Sequence, residues 1–173
     1  MNETIQTMLS RKSVKKYKPD AVPQEYIEAI VRAGMQAPTG LNKQSPIILA
    51  ITDRQVRDQL SKINAGSDPF FRSDPFYGAP CVLVVLAKKD VPTHVYDGSL
   101  VMGNLLLAAH SLGLGACWIH RAKETFETEE GKALLKSLGI EEEYEGIGNC
   151  IVGYPDMQPA EKPRKENWVY YIK

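Results

Sequence analysis

From about residue 96 to residue 112 the chain is nearly continuous in Leu, Val, Met and Ala, and no other feature limits its fold as much. At helical length such a run is apolar all round, and a helix of that kind belongs at the centre of a domain. Gly113 follows at once and suits the left-handed position that ends a helix. Short β-branched segments flank the run at 81–87 and 115–120 and read as buried strands. The pattern predicts a sheet laid against a central helix. A chain of 173 residues can bury such a core as one domain without disulfide or metal staples.

The remaining elements follow from caps and periodicity. A helix over 3–10, capped by Asn2, carries Ile5, Met8 and Leu9 at helical spacing. Pro23 suits the first position of a helix over 23–37, where a missing N–H costs nothing. Ile27, Ile30, Val31 and Gly34 form its inner face, and burying the three aliphatics contributes about 4–9 kcal/mol gross. Residues 47–52 read as a strand, and Asp53 caps a helix over 54–64 with Val56, Leu60 and Ile63 as its inner stripe. The segment 65–80 is a loop holding Phe70, Phe71, Phe76 and Tyr77, and long aromatic loops are often functional. A helix over 128–138 ends at Gly139, and 148–153 is a further strand. The arm 154–173 carries Pro155, Pro159 and Pro163 and ends in the apolar run Trp168-Val169-Tyr170-Tyr171-Ile172. No repeat or linker interrupts 1–173, which reads as one α/β-type domain with a long C-terminal arm.

Several function classes lack support. The 21 basic and 21 acidic residues cancel, so nothing pulls the chain as a whole toward nucleic acid or an anionic membrane. No signal-like or membrane-spanning stretch is present, and a cytoplasmic protein is expected. Cys81, Cys117 and Cys150 lie in apolar runs and read as reduced, buried thiols. His94, His110 and His120 lack metal-site spacing, so no metal is expected. There is no G-x-S-x-G elbow and no phosphate-loop motif. Gly113-Leu114-Gly115 precedes a strand instead of following one, the reverse of a dinucleotide-binding turn. The chemistry is left to a cofactor.

Two basic clusters and one turn remain. Five of the eight residues 11–18 are Lys or Arg, as are three of the four residues 162–165. The first reads either as a solvated charged face or as a phosphate site. Arg offers a planar fork and Ser13 a hydroxyl. Each hydrogen bond to a charged group contributes about 1.5–3 kcal/mol, and micromolar binding is about 8 kcal/mol. A nucleic-acid arm fits poorly, since only Tyr17 is interleaved among the cations. Pro38-Thr39-Gly40-Leu41-Asn42-Lys43-Gln44 is either a plain helix-to-strand turn or a set of donors and acceptors at alternate positions.

Together these segments resemble the nitroreductase family of FMN enzymes. Arg11-Lys12-Ser13-Val14-Lys15 is similar to its R-[RKH]-S-x-[RK] signature, and residues 37–44 are similar to its A-P-[ST]-x-x-N-x-Q. The run from Asn104 to Ile119 resembles its N-L-x-L-A-A-x-x-L-G-L-G-x-x-W-I. Val152-Gly153-Tyr154-Pro155 with Lys162-Pro163-Arg164 resembles its closing segment. The resemblance implies an α+β fold with a mixed, mostly antiparallel sheet flanked by helices, in an intertwined homodimer with exchanged C-terminal arms.

It also implies a site. Arg11, Ser13, Lys15, Lys162 and Arg164 would hold FMN, with Lys12 at the variable position of the signature. Pro38, Thr39, Gly40, Asn42 and Gln44 would belong to a turn reaching the flavin bound mainly by the partner. Trp118, Ile119, His120 and Arg121 would run beside the ring with a main-chain N–H near N5. NADH or NADPH would donate hydride and a nitroaromatic, quinone or similar small acceptor would take it, in ping-pong order. No catalytic side chain is implied; Lys15 would tune the ring electrostatically. Other FMN chemistry, such as reductive dehalogenation or flavin breakdown, and non-catalytic FMN binding are the alternatives. Ser45-Pro46-Ile47 departs from the Pro-Trp of many relatives. The short chain implies a more open pocket, with Phe70, Phe71, Phe76 and Tyr77 as candidate walls.

Overall fold

A computed structural model describes residues 1–66 and 74–173. The chain begins with α1 (Glu3–Ser10), α2 (Gln24–Met35), a 3-10 turn (Gly40–Asn42), β1 (Pro46–Ile51) and α3 (Arg54–Ala65). β2 (Cys81–Lys88), α4 (His94–Ser111) and β3 (Gly115–Ile119) follow. The last elements are α5 (Ala122–Glu127), α6 (Glu129–Ser137) and β4 (Tyr144–Gly153). Helix starts obey the capping chemistry of the sequence. Asn2 accepts from the Ile5 N–H, Asp53 from Val56 and Thr128 from Gly131, each satisfying a donor that its helix leaves free. Pro23 flanks α2 with an extended ψ of 140° and is the residue before the helix, not its first. Gly113 and Gly139 take φ of 76° and 74° after α4 and α6.

The four strands form one antiparallel sheet in the order β1-β2-β4-β3. Its mixed character comes from the segment after α1, where Ser13 makes a parallel bridge to Ala116 on the outer side of β3. β2 is buried on both faces, as its unbroken apolar run requires. Leu83 and Val85 pack with Ile30 of α2 and Met102 and Leu105 of α4. Val82 and Val84 pack on the other side with Leu60 of α3, Phe126 of α5 and Leu135 of α6. The sheet therefore lies between two helical layers.

Three expectations need correction. α4 is not covered all round: Asp97, Gly98, Val101, Met102, Leu105 and Ala109 are buried, whereas Tyr96 is 73% and Leu100 49% exposed. One face meets α2 and the sheet; among the described residues α1 touches the helix elsewhere, and Tyr96 and Leu100 stay in water. The inner face of α3 keeps the predicted Leu60, with Val56 packed beside it and Ile63 half-buried, but it is centred on the polar residues Arg57, Ser61 and Asn64 as well. The helix is turned so that its polar side chains reach partners beneath it. β4 begins at Tyr144, ahead of the predicted residue 148, and α5 was not foreseen. The two are linked, because Gly146 lets α5 lie directly on β4; a Cβ there would collide with the Ala122 carbonyl.

Candidate functional site

The basic segment 11–18 leaves α1 and crosses the edge of β3. The Val14 N–H donates to the Ala116 carbonyl at 3.1 Å, and the Val14 side chain fills the space where Gly115 has no Cβ. Further along, the Lys18 N–H donates to the Tyr154 carbonyl and the Asp156 N–H to that of Lys16, both at 2.9 Å. Lys16 also pairs with Asp156 at 2.7 Å. The strap is thus fixed at both ends, which holds Arg11, Ser13 and Lys15 in place.

These three residues converge on Cys117 of β3. Burial raises the Cys117 thiol above its ordinary range, and the Ser13 hydroxyl with the Lys15 and Arg11 charges draws it partly back. Lys15 is exposed, with its Nζ 5.8 Å from the centre of the Tyr77 ring. Arg11 Nη1 is shut away from solvent without a hydrogen-bond partner among the described residues. A buried guanidinium N–H without an acceptor is costly, and a phosphate oxygen matches its fork. Beside it, His110 Nε2 lies 2.8 Å from Ser10 Oγ, and burial followed by the Arg11 charge lowers the His110 pKa. Lys12 lines a cavity of about 320 Å³ with Ser10, His110, Pro155 and Met157.

The turn after α2 is built from strained backbone. Leu41, Asn42 and Gln44 have φ of 51°, 54° and 49°, the left-handed region that non-glycine residues avoid. Thr39 Oγ1 accepts from the Gln44 N–H at 3.0 Å, and Gln44 Nε2 donates to Asn42 Oδ1 at 3.2 Å. Pro38, Leu41, Asn42 and Gln44 are exposed. The side-chain polar groups of the turn meet one another and solvent, while the Gly40 N–H donates to buried Asp97 at 3.0 Å.

The turn from β3 into α5 is held from beneath. The His120 carbonyl accepts from Asn64 Nδ2 at 3.0 Å and from Asn149 Nδ2 at 3.5 Å, and both amides are buried. Arg121 adopts φ 70° and donates to the Ala65 carbonyl at 2.9 Å. His120 is exposed and Ile119 half-buried. The Trp118 indole lies over Gly148 and Met102 and packs on the core, so only the main chain of Trp118 faces the edge of β3.

Lys162 and Arg164 are exposed in the irregular arm, as are Trp168 to Ile172. Among the described residues, no hydrogen bond or ion pair joins Lys162 or Arg164 to Arg11, Ser13 or Lys15. Phe76 is fully buried in the core and is not a pocket wall, because Asp74, bonded to Arg57, Ser61 and the N–H groups of Phe76 and Gly78, folds the segment inward. Tyr77, beside Lys15, is half-exposed and open to a ligand. Phe70 and Phe71 lie outside the described residues. Sequence reasoning missed Asp97, Asn64 and Asn149, which position the turns without facing solvent. The signal for them was a polar residue within an otherwise apolar face.

This is a sheet sandwiched between helical layers, with a cationic strap along one edge strand and two fixed turns. The chain belongs to the nitroreductase family, whose pattern it matches over residues 8–67 and 64–154. It is 24% identical over 181 residues to FMN reductase [NAD(P)H] of Bacillus subtilis, covering 95% of this chain and 70% of the relative. It is 25% identical to iodotyrosine deiodinase of Thermotoga neapolitana over 93% of each chain. The crystal structure of a nitroreductase with bound FMN from Bacteroides fragilis superposes with a TM-score of 0.92 at 26% identity, covering both chains completely.

Proposed function

We propose that the chain is an FMN-dependent oxidoreductase that takes electrons from NADH or NADPH and passes them to small electron-poor acceptors such as nitroaromatics and quinones. The observation that carries this is the buried Arg11 Nη1 without an acceptor, beside Ser13 and Lys15 on the edge of β3, in a chain of this family. A relative named for NAD(P)H-dependent FMN reduction and a similar structure holding FMN support the cofactor and the donor. Arg11, Ser13, Lys162 and Arg164 would bind the phosphate, with Lys12 bordering them. Lys15 would set positive charge beside the ring and raise its reduction potential. The main chain of residues 118–121, fixed by Asn64 and Asn149, would present an N–H to the ring edge. Bound FMN supplies the chemistry, hydride acceptance and electron donation in ping-pong order.

Pro38, Thr39, Gly40, Asn42 and Gln44 would approach the flavin of a partner subunit, and the working form is a homodimer. Support comes from apolar side chains left in water: Ile5, Met8 and Leu9 on α1, Tyr96 and Leu100 on α4, and Trp168 to Ile172 in the arm. Residues 1–173 would then form one FMN-binding domain, whose arm, 154–173, keeps Lys162 and Arg164 at its own chain's site and reaches the partner beyond them. The buried, free thiols Cys81, Cys117 and Cys150 suit a cytoplasmic protein, and no helix among the described residues is long and apolar enough to cross a membrane.

The purified protein should be yellow, and its flavin band should bleach when NADH or NADPH is added without oxygen. Colourless protein that takes up no FMN rules the reading out. Yellow protein that oxidises neither nucleotide is a non-catalytic binder. The deiodinase relative favours one second reading, reductive dehalogenation at the same site. Halide release from an iodinated phenol, faster than nitroaromatic reduction, would select it.

A further inference from the structure

Resting on the FMN reading above, we propose that Asp97 is a positioning residue for the flavin. Buried in the first turn of α4, it fixes the 38–44 turn that the partner's cofactor meets. The turn needs an external tie. Three of its residues sit in left-handed backbone, and no side chain between Ala37 and Ser45 is buried to anchor it. Leu41 is 92% exposed, so apolar packing within the chain does not hold the turn either. Its internal bonds join it only to itself.

Asp97 supplies the tie. It is 3% exposed, and its Oδ1 accepts from the Gly40 N–H at 3.0 Å. Its other oxygen accepts from Thr93 Oγ1 at 2.9 Å, which fixes the carboxylate itself. The approach is close. A Cβ on Gly40 would come within 2.5 Å of Thr93 Oγ1, so the turn rests on the start of α4 through a position that needs glycine. α4 is anchored in turn by Met102 and Leu105 in the core. The core thus sets the height of the turn through one buried carboxylate, whose bonds go to Gly40 and Thr93.

The test is FMN titration of the apoprotein, read by quenching of flavin fluorescence. Asp97→Ala should weaken binding about tenfold or more, with the dimer and the circular dichroism spectrum retained. Asp97→Asn should recover most of the affinity, because its Oδ1 still accepts from Gly40 and its amide can donate to the Thr93 hydroxyl. Should Asp97→Ala fail to fold, Gly40→Ala, which displaces the turn without touching the carboxylate, should show the same loss. Mixed dimers carrying Asp97→Ala in one subunit and Lys162→Ala with Arg164→Ala in the other should regain one tight site per dimer. In that arrangement the intact turn faces the intact phosphate residues.

Wild-type affinity in Asp97→Ala, or in Gly40→Ala when it stands in, overturns the proposal. So does an Asn variant as weak as the Ala variant, or no recovery on mixing. Failure of the wild-type apoprotein to bind FMN is a different result and removes the functional reading itself.

Discussion

Arg11 and Lys15 stand four residues apart on one strap yet meet different surroundings. The buried, unpartnered Nη1 of Arg11 suits a phosphate, whereas exposed Lys15 beside Tyr77 suits a ring. Arg11→Ala should therefore weaken FMN by about 10- to 100-fold, the loss of one hydrogen bond to a charged group, while leaving riboflavin binding unchanged. Lys15→Met should lower the flavin reduction potential, or the affinity for FMN and riboflavin alike. Equal losses of FMN and riboflavin in Arg11→Ala, or an unaltered potential and affinity in Lys15→Met, would reassign these roles. Both residues were legible in the sequence because they stand in a local motif. Asp97, Asn64 and Asn149 were not, since each acts on a segment distant in sequence. Phe76 points into the core and is not a pocket wall, because an aromatic side chain carries no local sign of which way it points.

Elements were predicted well where caps and glycines bound them, and less well where an inner face is polar. α3 is the clearest case. Its Arg57 is buried and bonded to Asp58, to the Ala79 carbonyl at 3.0 Å and to Asp74, and Ser61 donates to Asp74 at 2.6 Å. Periodicity in apolar residues alone finds Leu60 and Val56 but leaves out Arg57, Ser61 and Asn64, because it counts such groups as surface. α5, only 6 residues long, is too short to show a period. β4 was started late because Glu145 and Gly146 are poor strand formers that α5 and Lys123 make acceptable.

The α3 network has a pH signature. Burial pushes the Asp74 carboxyl up, but hydrogen bonds from Arg57, Ser61 and the Gly78 and Phe76 N–H groups outweigh it and hold the pKa below 3.8. A depressed carboxylate pKa contributes stability above the unfolded value and loses it as pH falls through the folded one. Asp74→Asn should cost about 2–3 kcal/mol at neutral pH, since it removes one of the two carboxylates that Arg57 meets, leaving Asp58. It should also flatten the fall in Tm that the wild type shows below about pH 4. A parallel decline in both proteins would mean that another carboxylate governs acid unfolding.

At the scale of the whole molecule, the central apolar helix that most constrained the sequence reading is only half covered in the single chain. Tyr96 and Leu100 of α4, Ile5 and Leu9 of α1 and the whole run from Trp168 to Ile172 remain in water. A sequence reports that a face is apolar but not what covers it. The arm beyond Pro155 has no regular structure of its own, and its apolar end is left in water. Covering its five terminal apolar and aromatic residues would release about 1.5–3 kcal/mol each before ordering costs. Ending the chain after Glu166 removes that run and spares Lys162 and Arg164. The truncated protein should dissociate into monomers at concentrations about a hundredfold above those that split the wild type, measured by sedimentation. Its FMN occupancy should fall along the same concentration curve, because each site would lose the partner's 38–44 turn on dissociation. Retention of full FMN by the monomers would place the entire site within one chain and remove the role given to the partner.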